Sequence, residues 1–96
     1  MQRFVVTNSS GPDYEFEGER LFVYKGPSFN TLEIFRTRAG KYVARRRTRR
    51  SMAEPVRSDA TRVFDDGEAL FQWLGFGDDA KRAAEALGMP LRRQLP

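Results

Sequence analysis

The chain has no cysteine and no histidine. The first absence excludes disulfides and thiol chemistry, and it fits a reducing compartment. Together the two remove the best side-chain nucleophile and the commonest general base, so catalysis starts from a weak position. No apolar run approaches the ~18 residues that a membrane span needs. The opening MQRFVVTNSS holds too short an apolar stretch for the core of a signal peptide. These omissions lead us to expect a cytoplasmic, non-enzymatic protein made at its final length. No cofactor, no metal, no membrane and no small-molecule substrate are expected.

What is present suits one small folded domain spanning residues 1–96. Twelve aromatic residues, eight of them Phe, supply buried area that a chain of 96 residues needs. Charged residues make up 31% against 40% hydrophobic, the balance of a globular chain rather than a disordered one. Seventeen Lys and Arg against thirteen Asp and Glu give a formal net charge of +4. Fourteen of those seventeen cations are Arg, whose planar fork fits phosphate and carboxylate in a way Lys cannot copy. The average conceals an asymmetry, with acid gathered at residues 13–19 and 65–68 and base between them.

The base lies in residues 32–50, LEIFRTRAGKYVARRRTRR. This stretch reads as a β-hairpin with arms at 32–37 and 41–47 and Ala39-Gly40 at the tip. Gly40 can take the positive φ that a tight turn or G1 bulge demands. Eight basic residues and no acid fall between Arg36 and Arg50. Side chains alternate along a strand, so Arg45, Arg47 and Arg49 point one way and Arg46 and Arg50 the other. A core cannot cover both faces of such a strand end, so something anionic, or water, must. Glu33 falls opposite Arg45 or Arg46 depending on turn register, and one carboxylate cannot balance five arginines.

Elsewhere the pattern is that of a small antiparallel sheet followed by helices. Residues 3–7 read as a first strand, closed by the turn-rich NSSGPD. Tyr14, Phe16, Phe22 and Tyr24 share parity with Glu15, Glu17 and Glu19 opposite, which predicts a half-buried second strand bulged or bent at Gly18. Residues 51–61 read as a loop and 62–64 as a short edge strand. Asp65 with Glu68 makes a capping-box-like start for a helix over about 66–75, whose stripe is Leu70, Phe71, Trp73 and Leu74. Ala80, Ala83, Ala84 and Leu87 give a second helix, over about 79–87, a narrow face for close packing. Gly88 and Pro90 end it, and a basic tail covers 89–96. The expected fold class is α+β: an antiparallel four- to five-stranded β-meander with two C-terminal α-helices packed on one face.

From Phe16 onward the chain resembles the C-terminal part of the EXLDI protein family. The resemblance rests on FEGERL at 16–21, FRTRAGK at 35–41, VFD at 63–65 leading into Glu68-Ala69-Leu70, and ALGMP at 86–90. The family's terminal Glu-x-Leu-Asp-Ile is replaced here by Arg93-Gln94-Leu95-Pro96. The family is uncharacterised, so the resemblance implies a fold and no activity.

The chemistry of the remaining motifs is bland. Asp65/Asp66 and Asp78/Asp79 each open a helix, where acid stabilises the dipole. They lack the spacing of a calcium loop. Gly75-Phe76-Gly77 has neither a preceding strand nor a following Gly-Lys-Ser/Thr, so it reads as a helix–helix turn and not a phosphate loop. The arginines remain. Charge of this kind can simply guard an exposed strand edge. The binding reading takes Arg36, Arg38, Lys41, Arg45, Arg46, Arg47, Arg49 and Arg50 as phosphate contacts, with Tyr42 the only aromatic among them. The expected partner is a nucleic acid or nucleoprotein. The alternative is an acidic protein surface, as for a small inhibitor, antitoxin or anti-defence protein from a phage or mobile element. The protein itself would be a monomer or homodimer.

Overall fold

The computed structural model describes residues 1–26, 30–49, 51, 53–56, 58–89, 91 and 95. Among these, five antiparallel strands lie in the sheet in chain order: β1 (Gln2–Val6), β2 (Tyr14–Lys25), β3 (Thr31–Thr37), β4 (Tyr42–Thr48) and β5 (Ser58–Phe64). Two helices follow, α1 (Gly67–Leu74) and α2 (Asp78–Ala86). This is the α+β meander expected from the periodicities. Such an order needs only short hairpin links between neighbours.

The β3–β4 hairpin turns where glycine permits it. Gly40 has φ 87°; its N–H donates to the Thr37 carbonyl at 2.9 Å, and the Thr37 N–H to the Lys41 carbonyl at 2.8 Å. That turn fixes the register Glu33↔Arg45, Ile34↔Ala44 and Phe35↔Val43. Alternation then divides β4. Tyr42, Ala44, Arg46 and Thr48 share one face, and Val43, Arg45 and Arg47 share the other.

Each face builds its own apolar cluster. Under the helices, Leu32, Ile34 and Ala44 meet Leu70, Leu74, Ala80 and Ala83, flanked by Phe22, Tyr24, Phe64 and Trp73. On the opposite face, Val6, Phe35 and Val43 are buried with Phe4 and Phe16 packed against them. The rings of Phe4, Phe16 and Phe35 lie 4.9–5.8 Å apart, centroid to centroid. Each fully buried large side chain contributes roughly 1.5–3 kcal/mol. The sheet curls around this second cluster, because Thr61 Oγ1 donates to the Thr7 carbonyl and Ser9 Oγ to the Asp59 carbonyl, both at 2.7 Å. The β1–β2 connection is thereby tied to β5.

Three local expectations need correction. The bulge of β2 lies between Arg20 and Phe22, not at Gly18. Phe16 and Phe22 therefore fall on opposite faces despite equal parity: Phe16 joins the phenylalanine triad, while Phe22 stacks on Tyr24 beneath the helices. Gly18 serves close approach instead, since a Cβ there would run into the Arg36 carbonyl. The strand β5 begins at Ser58, inside the expected loop; Asp59 is unusual in a strand, and its partner below explains it. The N-cap of α1 is Asp66, whose carboxylate accepts from the Ala69 N–H at 2.8 Å. No helix among the described residues is long and apolar enough to cross a membrane.

Candidate functional site

Two of the predicted contact arginines are committed inside the molecule. Arg45 makes a bidentate pair with Asp59, Nε to Oδ1 at 3.1 Å and Nη2 to Oδ2 at 2.8 Å. Both side chains are under a fifth exposed, and charge-assisted forks of this kind are strong and directional. Arg45 holds the Asp59 carboxyl below its ordinary pKa, and Asp59 in turn raises that of Arg45.

Arg46 points the other way and is enclosed by the helices. Its Nε donates to Asp79 Oδ2 at 2.9 Å and its Nη2 to the Leu74 carbonyl at 2.9 Å. Its guanidinium carbon lies 5.3 Å from the centroid of the Trp73 ring. It thus satisfies a carbonyl at the end of α1 and a carboxylate at the start of α2, joining both helices to β4. The anionic cover required by the sequence comes from Asp59 and Asp79, 14 and 33 residues away.

Arg47 is different. It lies 3.7 Å from Asp59 Oδ2, an oxygen that Arg45 already holds at 2.8 Å. Its Nε is buried without a hydrogen-bond partner, while the side chain as a whole is 38% exposed. Two cations therefore share one carboxylate here. Arg49 follows the end of β4, and Arg50 lies outside the described residues.

At the hairpin tip the cations are exposed and loosely paired, Arg38 with Glu17 and Lys41 with Asp65, both at 3.4 Å. Arg36 is exposed beside Tyr42, its guanidinium carbon 6.0 Å from the ring centroid. The structure thus separates the predicted set into a tip (Arg36, Arg38, Lys41, Tyr42), a committed pair (Arg45, Arg46) and a far end (Arg47, Arg49).

Sequence reasoning missed two basic residues of the open face, Arg20 and Lys25 on β2. The pairs Lys25↔Thr31, Thr31↔Arg47 and Arg47↔Asp59 place Lys25 in one cross-strand row with Arg47. Arg20 is level with Phe35 and reaches Glu33 at 3.7 Å. Without the bulge at Leu21, parity alone sends Arg20 and Phe16 to the face of Tyr24.

The acid pairs at the helix starts are also engaged. Asp78 accepts from the Tyr24 hydroxyl at 2.6 Å and from Arg82 Nε at 3.1 Å. The Tyr24 hydrogen bond, with Arg82 second, lowers the Asp78 pKa, and Asp78 raises that of Tyr24. Among the described residues no three carboxylates gather where a metal ion could be held.

Compared with protein-family models, with curated proteins and with solved structures, the chain matches none.

Proposed function

We propose that this is a small non-enzymatic binding protein that uses its basic sheet to engage a polyanion, a nucleic-acid backbone first of all. The observation that carries this reading is the imbalance at Asp59, where one carboxylate faces both Arg45 and Arg47. A guanidinium in that position has charge left over for an outside anion. The exposed cations of the tip add to it, because their pairs lie at the surface and exposed pairs of this kind hold by only ~0–1 kcal/mol. A phosphate can displace them at little cost.

Affinity for random duplex and single-stranded DNA and RNA, measured at several salt concentrations, tests this. With about five phosphates contacted, log K should fall against log salt with a slope of roughly −4 to −5. Absence of binding to all of them near ~50 mM salt would end the reading. Arg45 and Arg46 are unsuitable probes, since their replacement disturbs the fold.

The second reading, an inhibitor or antitoxin whose Arg-rich hairpin docks on an acidic protein surface, uses the same cations, and one observation adds an apolar contact in the helix layer. Phe76 is 77% exposed beside a shallow groove lined by Phe71, Met89 and Leu91, and protein interfaces favour such apolar anchors. Capture from lysate that survives nuclease treatment favours it over the first.

A further inference from the structure

The cations of β2 and β4 share a face that the helices leave open, and this refines where contact is made. We infer that the binding surface is the helix-free face of the sheet, centred on Arg20, Lys25 and Arg47, and that it takes a phosphodiester backbone. The inference rests on the polyanion reading above and assigns it a place and a ligand chemistry.

The register sets the surface. Arg20, Lys25, Arg45 and Arg47 all project from this face, against Glu33 on β3 and Asp59 on β5. Asp13, on the β1–β2 connection, is near enough to influence Arg45. Lys25 is exposed and has no carboxylate within 4.0 Å among the described residues. Arg20 is half exposed and only loosely held by Glu33, at 3.7 Å. Strands lie ~4.8 Å apart, so Lys25 on β2 and Arg47 on β4 stand roughly 10 Å from each other across β3. They present separated positive points rather than one clustered charge.

The opposite layer has the opposite sign. Residues 65–86, which form the helices and their starts, carry six carboxylates and two cations. An approaching polyanion is repelled by that layer and drawn to the sheet, which fixes its orientation before contact.

The character of the surface selects phosphodiester over an acidic protein. Protein interfaces bury a core depleted of charge and rich in aromatic rings, whereas nucleic-acid interfaces are polar and strongly positive. Among the described residues, the exposed apolar side chain between Arg20, Lys25 and Arg47 is Val23, 44% exposed. It offers a base nothing to stack on. Contact is therefore with the backbone and independent of sequence.

The test compares two double variants in duplex binding across salt. Arg20→Gln with Lys25→Gln should flatten the salt slope by roughly 2, at ~0.9 per lost phosphate contact. Arg38→Gln with Lys41→Gln, at the tip, should flatten it by less than ~1, because each of those cations must first give up its carboxylate, Glu17 or Asp65. Glu33→Gln, which removes a repelling charge, should tighten binding on the order of threefold. These side chains are exposed or partly exposed, and unchanged melting temperatures would confirm intact folds; Lys25→Gln alone, with a loss near ~1 in slope, serves if the double variant is unstable. A flattened slope in the tip variant and an unchanged one in the β2 variant would overturn this placement and leave the polyanion reading standing. Poly-glutamate binding as tightly as duplex of equal charge would overturn the phosphodiester assignment. A wild type that binds no nucleic acid would remove both.

Discussion

Arg46 and Arg47 are neighbours in the chain, and the sheet gives them opposite fates. Arg46 turns under the helices, where Asp79, the Leu74 carbonyl and the Trp73 ring take up its donors and its flat face. Arg47 turns to the open face, where it comes second at a carboxylate that Arg45 already occupies. Identical residue types one position apart thus end differently, one with its donors taken up between sheet and helices and one beside a carboxylate that is already held. A run of arginines is not a site in itself. Its worth depends on which members have been neutralised by acids from distant parts of the chain.

This contrast can be broken first at the helix side. Trp73 packs on Phe64, ring centroids 5.5 Å apart, and under Arg46. Trp73→Ala should cost ~3–5 kcal/mol, close to the whole stability of a small domain. A cooperatively melting variant with a near-unchanged transition would refute the packing of α1 on the sheet.

On the open face the corresponding change is Asp59→Ala, which strips both Arg45 and Arg47 of their acid. Losing charge-assisted hydrogen bonds in a half-buried setting should cost ~2–3 kcal/mol by denaturant unfolding. A change below ~0.5 kcal/mol would show that the fork with Arg45 contributes nothing net.

Asp59 also gives a pH signature. Its folded pKa is depressed, so the unfolded chain binds the proton more readily. The stability it confers is present above the unfolded value of about 3.9 and is lost as pH falls through the lower folded one. Acid unfolding of the wild type should therefore include a component that Asp59→Asn lacks, and identical acid profiles would contradict the pairing.

The smallest effect belongs to the tip. Lys41→Ser removes an exposed pair with Asp65, in which the carboxylate is 86% exposed. It should shift stability by no more than ~0.5 kcal/mol. A larger loss would show that the tip, too, holds the fold.

Local chemistry was readable and long-range pairing was not. Gly40, Gly75 and Gly88 all take positive φ where a turn or helix end was expected, because glycine alone enters that region freely. Ala80, Ala83 and Ala84 are fully buried, as their spacing implied. The start of β5 was hidden because Ser58-Asp59-Ala60 carries no strand propensity. It is strand because Asp59 faces Arg47 and bonds Arg45 across the ladder. The bulge at Leu21 was equally silent, and it alone moves Arg20 to the open face. The charge of the hairpin was legible in the sequence. Which of its arginines are already satisfied depended on Asp59 and Asp79, which no local pattern connects to them.

The central claim is that Arg46 belongs to the fold and Arg47 does not. Urea unfolding of Arg46→Gln and Arg47→Gln, side by side with the wild type, tests it directly. Arg46→Gln should lose ~2–3 kcal/mol, since it leaves the half-buried Asp79 and the Leu74 carbonyl without their donor. Arg47→Gln should lose less than ~1 kcal/mol. Equal losses, or a larger one for Arg47→Gln, would contradict the division of labour along β4.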